Sequence, residues 1–153
     1  YLDAGADIFA TNTFNANAIS LEDYGMQGQV RNINLAAGKL AREVADGFMK
    51  EHPDRTIFEA GSVGPTNKTA SMSPDVSDPA YRAVTYLDLY SAYKEQVDAL
   101  VDGGVDIDLF ETTFDSLNVK AGRYLPREDV RFRGRHCLRF WLPCNIPILL
   151  VSV

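Results

Sequence analysis

The fold of this chain is decided by the stretch GGVDIDLFETTFD, residues 103–115. Two glycines precede an apolar run at residues 105–110 and polar residues follow it, which predicts a buried β-strand ending in a polar loop. The stretch AGADIFATNTFN, residues 4–15, repeats this pattern and predicts a strand at residues 7–11. A third apolar run, residues 56–60, lies midway between the two. Three predicted strands therefore follow one another at nearly equal intervals.

Each interval between these strands contains the pattern of an amphipathic helix. In the first interval, apolar residues recur at steps of three and four, which predicts a helix with one buried face. These residues are Val30, Ile33, Ala37, Leu40, Val44 and Phe48. The second interval has the same pattern at Tyr86, Tyr90, Tyr93, Val97 and Leu100. Thr85 and Asp88 have the spacing of a capping box at the start of this second helix.

The alternation of strands and helices predicts an α/β fold with right-handed crossovers and a parallel sheet. A doubly wound nucleotide-binding fold usually has a Gly-x-Gly-x-x-Gly turn after a strand, and neither residues 10–17 nor residues 61–68 match it. We therefore expect a fragment of a (β/α)8 TIM barrel, about half of the roughly 250 residues that a barrel needs. Residues 146–153 are a fourth candidate strand.

Polar side chains follow the first and third predicted strands at the same position. Thr11 and Asn12 offer hydrogen-bond donors and acceptors, Phe14 offers an apolar wall, and the carboxylate of Glu111 suits an ammonium group. In a barrel, the carboxyl ends of the strands converge on one substrate. Asp115 belongs to the same motif, although it and Asn15 could instead cap the helices that follow.

Charge is divided unevenly along the chain. Residues 1–120 carry 9 Lys or Arg and 19 Asp or Glu, whereas residues 121–153 carry 6 Arg and 2 acidic residues. A basic segment can bind nucleic acid or an acidic membrane surface, but arginines without lysine or a regular period are not typical of a binding arm. No apolar run approaches the roughly 18 residues of a membrane span. We expect neither nucleic acid nor a membrane as a partner.

The two cysteines lie in this basic segment. Cys137 and Cys144, even together with His136, do not have the spacing of a standard zinc motif. We therefore expect no metal ligands in this chain. Free cysteines without a secretory signal are typical of the reducing cytoplasm, which is the expected location.

A long polar loop, GPTNKTASMSPDV at residues 64–76, follows the second strand and is typical of a binding loop or a lid. It resembles the characteristic loop of the homocysteine-binding module of cobalamin-dependent methionine synthases. The stretches TNTF, residues 11–14, and ETTFD, residues 111–115, are similar to the strand-end motifs of that family, in the same order and spacing. The resemblance covers residues 1–121.

The resemblance implies a TIM barrel that transfers a methyl group from methylcobalamin to homocysteine and so forms methionine. It also implies a zinc ion, held by three cysteines, that binds the homocysteine sulfur, together with cobalamin- and folate-binding modules in the parent protein. A metal suits this chemistry because it lowers the pKa of a thiol. The zinc cysteines belong to later strands of the family, so we expect this chain to be an incomplete substrate-binding part without catalytic residues.

Carried over by position, the resemblance implies that Thr11 and Phe14 line the amino-acid end of homocysteine and that Glu111 faces its ammonium group. Asn12 and Asp115 are further candidates. One departure is Ala10, where the family usually has an acidic residue. Residues 122–145 do not resemble the next helix of the family, so we interpret residues 1–153 as a partial barrel domain with an atypical segment at 122–145.

Two alternatives remain open at this point. A cobalamin-independent homocysteine S-methyltransferase, which uses betaine or a methylated sulfonium donor, shares the barrel and the strand-end motifs. The chain could also be a binding fragment without catalytic activity.

Overall fold

The structure, a computed structural model, describes residues 1–125 and the strand residues 131–132, 135–136 and 138–143. The strands of the main sheet are β1 (Ile8–Ala10), β2 (Phe58–Val63), β3 (Ile107–Thr113) and β6 (Leu138–Pro143), and a separate pair is formed by β4 (Arg131–Phe132) and β5 (Arg135–His136). The helices are α1 (Ala18–Leu21), α2 (Val30–Glu51), α3 (Tyr86–Gly103) and α4 (Ser116–Arg123). Short 3-10 turns lie at Leu2–Ala4, Glu22–Tyr24 and Gln27–Gln29.

The main sheet is parallel, and its strand order is β1-β2-β3-β6. Strands that follow one another along the chain are therefore neighbours in this sheet. In the central strand β2, Ala60 lies opposite Ala10 of β1 on one side and opposite Ile107 of β3 on the other. A doubly wound sheet would instead reverse its order at a switch point. The order is that of a barrel segment, which confirms the predicted α/β fold and its parallel strands.

The three predicted strands are present, and each starts one or two residues later than predicted. The strands β2 and β3 extend three residues beyond their predicted carboxyl ends, whereas β1 ends one residue before its own. The helix predicted from Thr85 begins with the expected capping box, in which Asp88 accepts a hydrogen bond from the Thr85 backbone. The strand β6 falls within the segment 122–145 that the sequence left without an assignment. The predicted strand at residues 146–153 lies outside the described residues, as do Cys137 and Cys144.

The two faces of the sheet have different neighbours because side chains alternate along each strand. On the helix side, Phe9 packs with Ala41 and Ala45 of α2. Val63 and Phe110 pack on the same side against α3. On the opposite face, a separate apolar cluster is formed by Ala10, Ala60, Ile107 and Leu109. This second face corresponds to the interior of a barrel.

The prediction of which face of α2 is buried was wrong. The helix is rotated about its axis relative to that prediction. Leu40 is 63% exposed and Val44 is 43% exposed. Val30 is buried as predicted, but the other buried residues of α2 are Asn34, Gly38, Ala41 and Ala45. Small residues allow close packing against α3, since a Cβ built on Gly38 would lie 2.9 Å from the Cα of Gly103. Contact between backbones, rather than burial of the largest apolar residues, decides which face of α2 is buried.

A buried ionic cluster joins α2 to the amino ends of β2 and β3. The guanidinium of Arg42 lies 2.9 Å from the fully buried carboxyl of Glu59 and 3.1 Å from both Asp46 and Asp106. Burial raises the pKa of Glu59 to about 8; Arg42 opposes this shift, and the neighbouring carboxyl of Asp106 adds to it. The carboxyl of Glu59 therefore holds its proton more strongly in the folded chain than in the unfolded chain.

This cluster predicts a pH-dependent stability. The raised pKa of Glu59 means that its contribution to stability is complete below its ordinary pKa of 4.5 and is lost as the pH rises through about 8. We expect the free energy of unfolding to fall over this range, by at most about 1.4 kcal/mol per pH unit from this group. Glu59→Gln should remove most of this slope, the change in the free energy of unfolding with pH, which is measured by urea unfolding at a series of pH values.

The matched control is Glu43→Gln, which removes an exposed carboxyl of the same helix that is not among the causes of the raised pKa of Glu59. This variant should keep the wild-type slope. Equal slopes for the wild type and Glu59→Gln would contradict the assignment.

Candidate functional site

The carboxyl ends of β1, β2 and β3 meet at one edge of the sheet, where hydroxyl groups form a buried network. The hydroxyl of Thr13 donates to the carbonyl oxygen of Ser62 over 2.8 Å, and the backbone N–H of Ser62 donates to the Thr11 hydroxyl oxygen over 3.1 Å. The two threonine hydroxyls lie 2.7 Å apart. Because the single proton of Thr13 is already used, Thr11 is the donor between them.

Glu111 joins this network through β2. The Ser62 hydroxyl donates to Oε1 of Glu111 over 2.7 Å, and Ser62 is 3% exposed. Strand alternation places Ser62 two residues after Ala60, and Glu111 two residues after Leu109, on the inner face of the sheet. Glu111 itself is only half-buried. Within residues 1–125, no hydrogen bond or ion pair to its second oxygen, Oε2, is present.

The backbone next to Glu111 adopts an uncommon conformation. Thr112 has a φ of 58°, in the left-handed region, and this is an outlier for a β-branched residue. The pairing of β3 with β6 shifts its register between Phe110 and Thr113. Such bulges redirect side chains and are frequent beside functional sites. The irregularity follows directly after the half-buried carboxylate.

Asp115 holds the loop of residues 64–76 against α4. Its Oδ1 accepts from the backbone N–H groups of Leu117 and Asn118, which caps the helix, and its Oδ2 accepts from those of Ala70 and Ser71. Burial alone would raise the pKa of Asp115, but these hydrogen bonds outweigh it and hold the pKa below its ordinary value. The capping interpretation is therefore confirmed for Asp115.

Further contacts fix the beginning of the same loop. Asn118 donates to the Thr66 hydroxyl over 2.8 Å, and the Tyr93 hydroxyl accepts from the backbone N–H of Thr66 over 3.3 Å. Lys68 forms an ion pair with Glu22 over 2.7 Å. Residues 66–71 are thus anchored to α3, α4 and the segment after β1.

The loop after β1 contains the two remaining candidates. Phe14 is half-buried, and its ring packs so closely on Gly64 that a Cβ there would lie 2.7 Å from it. Asn12 is exposed. The cap of α1 is Asn17, whose side chain accepts from the backbone N–H of Ser20 over 2.9 Å. The alternative in which Asn15 caps this helix was therefore wrong.

Thr11 and Glu111, predicted from separate motifs, are joined through a residue that sequence reasoning missed. The sequence predicts the second strand only over residues 56–60, so Ser62 fell outside it. The strand extends to Val63, and alternation from Ala60 would have placed Ser62 on the inner face. The signal was present in the period of the strand.

A family model described as homocysteine S-methyltransferase matches residues 1–148. The chain belongs to the homocysteine S-methyltransferase family. This membership confirms the resemblance at the level of the family.

Solved structures of a homocysteine methyltransferase are similar in fold. The metallated form of MmuM from Escherichia coli has 24% identity and a TM-score of 0.63, covering 79% of this chain and 42% of that one. The oxidised form has 25% identity and a TM-score of 0.62, covering 78% of this chain and 41% of that one. The chain thus spans less than half the length of these structures, and the likeness establishes the barrel-type fold.

The zinc site implied by the resemblance can be tested against the donor side chains of this member of the homocysteine S-methyltransferase family. Three thiolates are needed, and residues 1–125 contain no cysteine. Among the residues that the structure describes, no three His, Cys, Asp or Glu side chains are grouped as metal ligands. The described donors therefore do not fit the implied zinc ion.

The contacts of Asp115 predict a large effect from a small substitution. Asp115→Asn replaces one of two acceptor oxygens by an amide, so that two of the four backbone N–H groups lose their partner. We expect a loss of about 1–3 kcal/mol in the free energy of unfolding. Hydrogen exchange should become faster at the amides that lose their acceptor, those of Ala70 and Ser71 or those of Leu117 and Asn118.

Asp75→Asn is the control, because Asp75 lies exposed in the same loop. It should change neither the stability nor the exchange of those amides appreciably. Unchanged stability of Asp115→Asn would mean that the loop is held by other contacts.

Proposed function

We propose that this chain binds the amino-acid end of homocysteine in a methyltransferase that methylates its sulfur and so forms methionine. The observation that carries the proposal is the carboxylate of Glu111, half-buried at a strand end, with one oxygen held by Ser62. Membership of the homocysteine S-methyltransferase family supports the substrate, and the two MmuM structures bear the name of a homocysteine methyltransferase.

The ammonium group of homocysteine is the proposed partner of Glu111. Hydrogen bonds to a charged group contribute about 1.5–3 kcal/mol, and a half-buried carboxylate is screened less than an exposed one. Thr11 and Phe14 are proposed to line the same end of the substrate. Asn12 and Asp115 remain weaker candidates, and the four backbone hydrogen bonds of Asp115 give it a structural role in addition.

The proposed methyl donor is methylcobalamin, with cobalamin- and folate-binding modules and a zinc site belonging to the parent protein. The loop of residues 64–76, which resembles that of cobalamin-dependent methionine synthases, supports this donor. The alternative is betaine or a methylated sulfonium compound, as in a cobalamin-independent enzyme. Methionine formation measured with each donor in turn, on the protein encoded by the whole gene, separates the two.

The cytoplasm is the proposed location. Within the part of the chain that the structure describes, no helix has the length and apolar character needed to cross a membrane.

Calorimetry with homocysteine tests the binding role. We expect the wild-type chain to bind homocysteine and Glu111→Gln to bind it about ten- to a hundredfold more weakly, because a charge-assisted hydrogen bond is replaced by a neutral one. Glu43→Gln, at an exposed position of α2, should bind like the wild type.

Equal affinity of the wild type and Glu111→Gln would remove Glu111 from the site. An absence of homocysteine binding by the wild type would contradict the proposed function. Homocysteine binding without methionine formation, whichever donor is supplied, would favour the alternative of a binding fragment without catalytic activity.

A further inference from the structure

We propose that Ser62 is a positioning residue, which orients the carboxylate of Glu111 and so makes the site selective for a substrate with a free ammonium group. This inference rests on the proposed function. It assigns to β2 a part in recognition that neither the strand-end motifs nor the family resemblance supplies.

Ser62 is itself held rigidly, which is the first requirement for a residue that positions another. Its backbone N–H donates to the Thr11 hydroxyl and its carbonyl oxygen accepts from the Thr13 hydroxyl. Both contacts come from the loop that follows the neighbouring strand β1. Because these two hydrogen bonds fix the peptide groups on both sides of its Cα, the hydroxyl of Ser62 starts from a fixed point.

The hydrogen bond from Ser62 makes the two oxygens of Glu111 unequal. Oε1 accepts from the buried Ser62 hydroxyl over 2.7 Å, whereas Oε2 has no hydrogen bond or ion pair within residues 1–125. A carboxylate has acceptor capacity on both oxygens, so Oε2 is the oxygen left to receive an ammonium N–H. Without Ser62, the carboxylate could rotate, and the substrate would have to order it on binding.

The backbone beside Glu111 is strained. Thr112, the next residue, has a left-handed φ, and the pairing of β3 with β6 shifts its register between Phe110 and Thr113. Backbone strain persists where the surroundings over-determine the conformation, and it clusters at ligand-binding positions. The strained backbone thus lies directly after Glu111, and Ser62 holds the tip of the Glu111 side chain.

The experiment compares two ligands and two proteins. Homocysteine and 4-sulfanylbutanoate, which lacks only the amino group, are titrated by calorimetry into the wild-type chain and Ser62→Ala. We expect Ser62→Ala to weaken homocysteine binding about tenfold and to leave the binding of 4-sulfanylbutanoate unchanged. A merely structural role of Ser62 would weaken the binding of both ligands alike, which would overturn the proposal.

A double-mutant cycle asks whether Ser62 acts through Glu111. In the Glu111→Gln background, Ser62→Ala should cause no further loss of homocysteine affinity, since there is no longer a charged carboxylate to orient. Two independent losses that multiply would overturn the proposal.

Two further variants guard against misfolding. Ser20→Ala removes another buried serine hydroxyl, one without a hydrogen-bond partner among the described residues, and should keep the wild-type affinity. Ser62→Cys keeps the shape of the side chain with a weaker donor, and it should give the same selective loss if Ser62→Ala does not fold. Thermal unfolding of each variant reports on its integrity.

The outcomes separate this inference from the proposed function. If Glu111→Gln loses affinity for homocysteine and neither Ser62 variant does, the role of Ser62 is wrong and the function stands. If the wild type binds neither ligand, the proposed function fails and the role of Ser62 fails with it.

Discussion

The register of β2 between its two neighbours is the constraint on which the rest of the structure depends. Ala60 pairs with Ala10 on one side and Ile107 on the other, so the outward position before it is Glu59 and the next inward position is Ser62. A shift by one residue would exchange the two faces of the strand. The carboxyl of Glu59 would then face the apolar inner cluster, and Ser62 would turn away from Glu111.

The two buried polar residues of β2, Glu59 and Ser62, therefore form their contacts towards opposite ends of the strands. Near the amino ends of the strands, Glu59 meets Arg42 and joins the sheet to its helices. At the carboxyl ends, Ser62 meets Glu111 on the inner face. In barrels of this kind the amino-terminal face serves stability and the carboxyl-terminal face carries function. Substitutions at Glu59 should therefore act on folding, and substitutions at Ser62 on recognition.

The sequence was sufficient for the parallel fold because that prediction depends on local periods. It failed for α2, where the most apolar stripe, with Leu40 and Val44, lies outward and the contact between Gly38 and Gly103 sets the packing. The sequence also predicted, correctly, that Thr11 and Glu111 lie at the same edge of the sheet. The residue that joins them, Ser62, depends on where pairing with β3 ends the strand. Alternation from Ala60 gives the face of Ser62 once the strand is known to reach it, but the length of the strand is set by pairing between distant residues.

The hydrogen-bond donors of the hydroxyl network around Ser62 are all used within the protein, and this limits which part of a substrate the network can bind. The hydroxyls of Thr11, Thr13 and Ser62 and the backbone N–H of Ser62 all donate within the protein. What remains to the network is acceptor capacity, in the lone pairs that the hydroxyl oxygens of Thr11, Thr13 and Ser62 do not use and in the carboxylate of Glu111. A carboxylate finds no donor there, whereas an ammonium group supplies three N–H donors. The proposed partner of Thr11 and Glu111 is therefore the ammonium side of an amino acid, and its carboxylate would be held by other groups.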